Sequence, residues 1–292
     1  MKKIITYIFI FLFFVGYSQK HEHKTDTIRK IYVPLKQYKK NYTKQLTKED
    51  TLNFKFKDND TMVMVNQYLH KGVYVPYEYK DSVFLKYYKK IAFNHDNGKF
   101  SFDTKMRYWK KPIKIFFSKN VSKNVQRELM RFASEVSSDI DSLNISRVNK
   151  LEDSNYVVYY KGGFEYEPRM HNYKNSSFYV YWNGKNQLYR NTIRINTDKE
   201  FSEILIINEV KKLFFQSLGR FKLIDEFECE NYFADCHSKN KNFSKLDLEI
   251  LKYHYSYGIC KGTDLLTFEE QHAQAKETLK LHNHKVNFIH TE

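Results

Sequence analysis

The chain has 292 residues, with 49 Lys and Arg against 34 Asp and Glu, for a formal net charge of +15. Hydrophobic residues make up 41%, and 24 Tyr with 24 Phe supply enough core-forming area to exclude a disordered or fibrous class. The lysines are scattered through every segment, with no Arg-rich stripe and no nucleic-acid-binding motif, so a basic solvated surface is expected and nucleic acid is not expected as a partner.

Lys2 and Lys3 precede a twelve-residue apolar run from Ile4 to Val15, and Gly16-Tyr17-Ser18 places small residues before Gln19. Charge, apolar run and small-residue site in that order predict a secretory signal over residues 1–18. The run is shorter than the roughly 20 residues of a spanning helix, so cleavage and a periplasmic or secreted location are expected. A lipid anchor would need a Cys just after the signal, and the first Cys is Cys229. No later stretch is long and apolar enough to predict a membrane span.

Residues 19–75 read as an extended or poorly ordered segment, with a strand at Met62–Val65. From Pro76 the periodicity improves. Ser82–Ala92 places Phe84, Tyr87, Tyr88 and Ile91 at helical spacing. Pro112 to Phe117 alternates like a strand, and Ser122 caps a helix whose stripe runs through Val125, Leu129, Phe132 and Val136. A strand follows at Tyr156–Tyr160, with Gly162-Gly163 as the loop after it. Residues 177–196 read as a hairpin in which Asn183-Gly184 supplies positive φ angles. Thr197-x-x-Glu200 reads as a capping box opening a helix of about 20 residues that Gly219 ends in the left-handed conformation. Ser244-x-x-Asp247 starts another helix, and Thr267-x-x-Glu270 a last one before a polar tail from His282.

A strand–helix–strand unit implies a parallel crossover, and the hairpin implies an antiparallel pair. The expected fold is α+β, a mixed sheet with one antiparallel edge hairpin packed on two long helices. The expected divisions are residues 1–18, 19–75, 76–262 and a C-terminal helix and tail over 263–292.

Three cysteines suit an oxidising compartment. Cys229 and Cys236 flank a short loop and are the preferred pair, leaving Cys260 free unless it replaces one of them. The spacing C-x6-C-H also offers His237 as a metal ligand, although zinc knuckles use tighter pairs and a second pair.

Over residues 82–258 the element order resembles the zincin metallopeptidases. It is most similar to a family of secreted bacterial proteins of unassigned activity whose zincin domain is degenerate. The residues that carry the resemblance are Ile91-Ala92-Phe93-Asn94, Arg107-Tyr108-Trp109 with Pro112-Ile113, Phe215-Gln216-Ser217-Leu218-Gly219, and Leu246-Asp247-x-x-Ile250-Leu251-x-x-x-Tyr255. In a working zincin the long helix carries H-E-x-x-H, two metal ligands on one helix face with a Glu that polarises water.

Counting back from Gly219, the resemblance places the first ligand at Lys212, the base at Leu213, the second ligand at Gln216 and the third ligand at Lys222. A cationic Lys repels a dication, Leu accepts no proton and Gln is a neutral, weak ligand. A register from Asn208-Glu209 fails as well, because no His occurs between His171 and His237. No zinc, no cofactor and no catalytic residue is therefore expected from this helix. Lys212 and Gln216 share one helix face, as a polar cleft for an anionic group or as a structural polar patch. His254 reads as a core residue, and His282 and His284 as solvent-facing.

The functional expectation is a non-catalytic zincin-like module of the cell envelope that holds a peptide, glycan or other envelope component. One alternative is a metallopeptidase-like hydrolase with non-standard ligands such as Cys236, His237 and His254. Another is a structural surface protein contacting anionic lipid or polysaccharide. Separately, Asp26-Thr27-Ile28, Asp50-Thr51-Leu52, Asp60-Thr61-Met62, Asp81-Ser82-Val83 and Asp141-Ser142-Leu143 repeat a pattern that resembles the acceptor motif of some periplasmic O-glycosylation systems. Chance recurrence explains it equally well.

Overall fold

The computed structural model describes residues 28–41, 45–68, 73–93, 104–282 and 286–290. The signal over residues 1–18, Asp26-Thr27, Asn94 and His284 lie outside them. The chain divides into two compact units, with the boundary at Gly72 and Val73.

The first unit corrects the expectation of an extended N-terminal segment. It holds β1 (Ile28–Pro34), α1 (Leu35–Asn41), α2 (Lys48–Leu52), β2 (Lys55–Lys57) and β3 (Asp60–Tyr68). Its sheet has the order β1-β3-β2 and is antiparallel throughout. Asp58 and Asn59 join β2 to β3 with φ of 49° and 63°, the two positive angles of a tight hairpin that short polar side chains tolerate. Val63 and Val65 alternate into a small core with Tyr38, Ile31 and Val33. Thr47 and Asp50 cap α2 reciprocally, Thr47 Oγ1 accepting from Asp50 N at 3.2 Å and Asp50 Oδ2 from Thr47 N at 2.8 Å.

The second unit runs through β4 (Val73–Pro76), α3 (Ser82–Ala92), β5 (Tyr108–Trp109), β6 (Ile113–Phe117), α4 (Lys123–Ser137), β7 (Ile145–Arg147), β8 (Tyr156–Tyr160), β9 (Ser177–Trp182), β10 (Gln187–Ile195), α5 (Glu203–Ser217), α6 (Lys245–Tyr255), α7 (Leu265–His282) and β11 (Asn287–His290). Helices and a mixed sheet together make the fold α+β. In the main sheet, order β5-β10-β8-β6-β7, the pairs are parallel, while β9 pairs antiparallel with the opposite edge of β10. Leu188 of β10 thus stands between Trp109 on one side and Trp182 on the other. The crossover through α4 and the antiparallel hairpin are both present.

The reason for this layering lies in the side-chain pattern. Ile113, Ile115 and Phe117 alternate toward the helices, where Val125, Leu129, Phe132 and Val136 of α4 meet Val210, Leu213 and Phe214 of α5. Central β8 is buried on both faces. Tyr156 and Val158 join that core, while Val157 and Tyr159 pack with Met170 beneath the loop that follows β8. Buried Arg194 fastens this loop, its guanidinium donating to Met170 O at 2.9 Å and Asn172 O at 2.6 Å.

Several sequence expectations need correction. α5 begins at Glu203 with Ser202 as its cap, because Asn196 draws Thr197–Glu200 into a turn: Asn196 O accepts from Lys199 N and Glu200 N. The hairpin turn spans Asn183 to Asn186, and its positive φ falls on Asn186 (58°), not Gly184. Likewise the left-handed residue after α5 is Arg220 (φ 53°), not Gly219. Phe221 N closes that end on Gln216 O at 2.8 Å, the longer bond of a Schellman ending. α7 starts at Leu265, with Asp264 Oδ1 accepting from Thr267 N at 2.8 Å. The segment after residue 262 belongs to the second unit: Phe268 of α7 enters the core, and β11 pairs antiparallel with β4. Ser244 and Asp247 do form the capping box of α6. No described helix is long and apolar enough to cross a membrane.

Candidate functional site

A cleft of about 270 Å³ lies along the solvent side of α5. The helix contributes Leu205, Asn208, Glu209 and Lys212, spaced to share one face. Its opposite face, with Val210, Leu213, Phe214 and Ser217, is buried, so the amphipathic spacing itself aims the polar residues outward. Glu203 secures the start of the helix by accepting from Ser122 Oγ at 2.6 Å and Asn124 Nδ2 at 2.7 Å. Around the rim stand Asn175 and Ser176 ahead of β9, Lys199 and Glu200 from the turn before α5, and Asp235 to Ser238 with Lys241 from the cysteine-bearing loop.

That loop is rigid for two reasons. Cys229 and Cys236 form a disulfide, while Cys260 is free. Asp247, buried at the start of α6, accepts from Tyr232 N at 3.1 Å, Phe233 N at 3.2 Å, Ser244 N at 3.0 Å and Ser244 Oγ at 2.8 Å. One carboxylate thus serves as both helix cap and loop anchor.

Charges of both signs line the cleft. Lys212 Nζ lies 2.5 Å from Glu209 Oε2, one turn away on α5. Burial raises the carboxyl pKa of Glu200, and the negative charge of Glu209 adds to the rise. Burial lowers Lys241, whose ammonium donates to Asn231 O at 2.8 Å and Ala234 O at 3.0 Å. Lys199 Nζ donates to Asn175 Oδ1 at 2.9 Å.

The four zincin positions are not assembled into one site. Lys212 alone lines the cleft, and its charge is met by Glu209. Leu213 is buried in the core, and Gln216 is half-buried outside the cleft. Lys222 follows the turn at Arg220, its amide donating to Ile91 O at 3.0 Å.

The non-standard ligand set is dispersed too. His237 lines the cleft, but the Cys236 sulfur beside it is bonded to Cys229. His254 is fully buried, its Nε2 2.9 Å from Arg107 O and its Nδ1 3.2 Å from Tyr88 Oη. A carbonyl can only accept, so Nε2 carries the proton and Nδ1 accepts from Tyr88. Burial holds its pKa at about 3. Among the described residues no group of three or more His, Cys, Asp or Glu is arranged to hold a metal ion.

β9 completes the picture. Among the described strands it pairs only with β10, so its outer edge carries unpaired backbone groups. Sequence reading found Lys212 and the cysteine loop but missed Glu200, Asp235 and Lys241, which only the fold brings together. No protein-family model matches this chain, and no curated protein matches it.

Proposed function

We propose that this chain is an exported, non-catalytic binding module of the cell envelope on a zincin-shaped scaffold, which holds an extended peptide against the edge of β9. The carrying observation is the Lys212–Glu209 ion pair, 2.5 Å long, at the position where the resemblance puts the first metal ligand. An ammonium already neutralised by its own helix leaves neither a ligand for a dication nor a base for water. What the scaffold retains is a polar cleft beside an edge strand, and an exposed edge offers main-chain hydrogen bonds to any extended partner.

Two measurements test this reading. Elemental analysis of the purified protein is expected to find zinc well below one equivalent. Stoichiometric zinc that disappears with His237→Ala would sink the proposal. Peptides captured from envelope extract are then resynthesised with N-methyl groups on alternate amides. Edge pairing predicts that one alternating set loses binding and the other keeps it, whereas equal binding by both excludes a strand-to-strand contact.

A further inference from the structure

Trp182 ends β9 with its indole partly open to solvent, at 39% exposure. Two guanidinium groups lie over that one ring, the Cζ of Arg107 4.0 Å and the Cζ of Arg220 5.0 Å from its centroid. Like charges that share a platform repel, and the charge of Arg220 adds to burial in depressing Arg107 to about 10. Two other arginines of the fold are answered by carboxylates, Arg194 by Glu165 and Arg131 by Glu128. Among the described residues neither Arg107 nor Arg220 has an acidic partner within ion-pair distance, and Arg107 Nε is buried without a hydrogen bond.

The pair is also held in place. The carbonyl of Arg107 accepts from buried His254 Nε2 at 2.9 Å. Arg220 occupies the left-handed position of the turn after α5, where glycine would be the unstrained choice. The end of that helix is fixed by Trp109 Nε1 donating to Ser217 O at 3.2 Å and Tyr255 Oη donating to Leu218 O at 2.7 Å. A strained cation kept beside a second cation, both prepositioned on an indole, is an arrangement that a bound anion relieves.

We propose that Arg107 and Arg220, held against Trp182, bind an oxyanion group: a carboxylate, a sulfate or a phosphate. Guanidinium forks match the paired oxygens of these groups and make charge-assisted hydrogen bonds to them. The site uses side chains, not the backbone edge of β9, so it stands or falls independently of peptide pairing there.

The chain contains two tryptophans, and Trp109 is 1% exposed, so a change in indole emission on ligand addition reports on Trp182. Inorganic phosphate, inorganic sulfate and glucuronate are each titrated into the purified protein at constant ionic strength, because screening alone would otherwise mimic an effect. At least one of them is expected to give a saturable change that Trp182→Phe abolishes. Arg220→Gln is expected to weaken that binding by about tenfold. Tightest binding by phosphate or sulfate identifies a phosphoryl or sulfuryl ligand, and tightest binding by glucuronate a carboxylate. No saturable response to any of the three, or unchanged affinity in Arg220→Gln, overturns the proposal. Arg220 is exposed, so this variant carries the test even if Arg107→Gln fails to fold.

Discussion

Gly219 and Phe221 approach so closely that a β-carbon on Gly219 would stand 2.3 Å from the Phe221 ring. The same β-carbon would lie 2.9 Å from His254 Nε2. Both neighbours are rigid rings inside the core, so neither can swing aside. Gly219→Ala is expected to destabilise the fold by about 2 kcal/mol through overpacking. Urea unfolding followed by circular dichroism measures this, and an unchanged midpoint would contradict the packing described.

Arg220 is the mirror case. Its left-handed backbone is costly for any residue with a β-carbon, so Arg220→Gly is expected to stabilise the protein by about 1 kcal/mol. The same change should lower oxyanion affinity. Stability gained together with binding lost is the signature expected of a residue kept for function.

His254 makes stability depend on pH. Its folded pKa is about 3 against an ordinary 6.5, mainly through burial. The folded state therefore binds this proton less readily than the unfolded state, and its stabilising effect is complete above about pH 6.5. It is lost as pH falls from there toward 3. Between pH 7.5 and 5.5 the loss should reach about 1.4 kcal/mol. His272, also lowered chiefly by burial, acts with the same sign. Unfolding free energies measured across this range should show the slope, and His254→Gln should flatten it.

Asp247 is the buried knot between α6 and the disulfide loop. Asp247→Ala strands the amides of Tyr232 and Phe233 and removes the reciprocal half of the α6 capping box, while Ser244 Oγ still accepts from residue 247 N, so a loss of about 3 kcal/mol is expected. Asp247→Asn keeps an acceptor and should lose less. Equal losses for the two variants would show that the charged carboxylate with both its oxygens, not the shape and single acceptor that Asn keeps, holds this position.

Legibility in the sequence follows the range of the determining contacts. The stripe of α4, the Ser244–Asp247 box and the alternation of β6 are set within a few residues, and they were readable. Thr197–Glu200 misleads because it has the residues of a cap, while Asn196, bonded to Tyr173 O and Lys174 O from another segment, holds that stretch as a turn. β5 and β7 have two and three residues, too few to show a period. The N-terminal sheet is diluted by Lys, Thr and Gln, and its two-residue turn, Asp58-Asn59, lacks the glycine that announces a hairpin. Trp182 meets Arg107 and Arg220 only because the sheet and the end of α5 bring three distant segments together. No local pattern could announce that cluster.

The pairing of β4 with β11 has a consequence in time. These strands open and close the second unit, with nearly all of its chain between them. On the ribosome β4 is made before the rest of the unit and waits without its partner until β11 emerges. The main sheet needs no such delay, since β6, β8 and β10 follow one another closely. The clasp should therefore be the final step in assembling this unit, a seam closed only once β11 has been made.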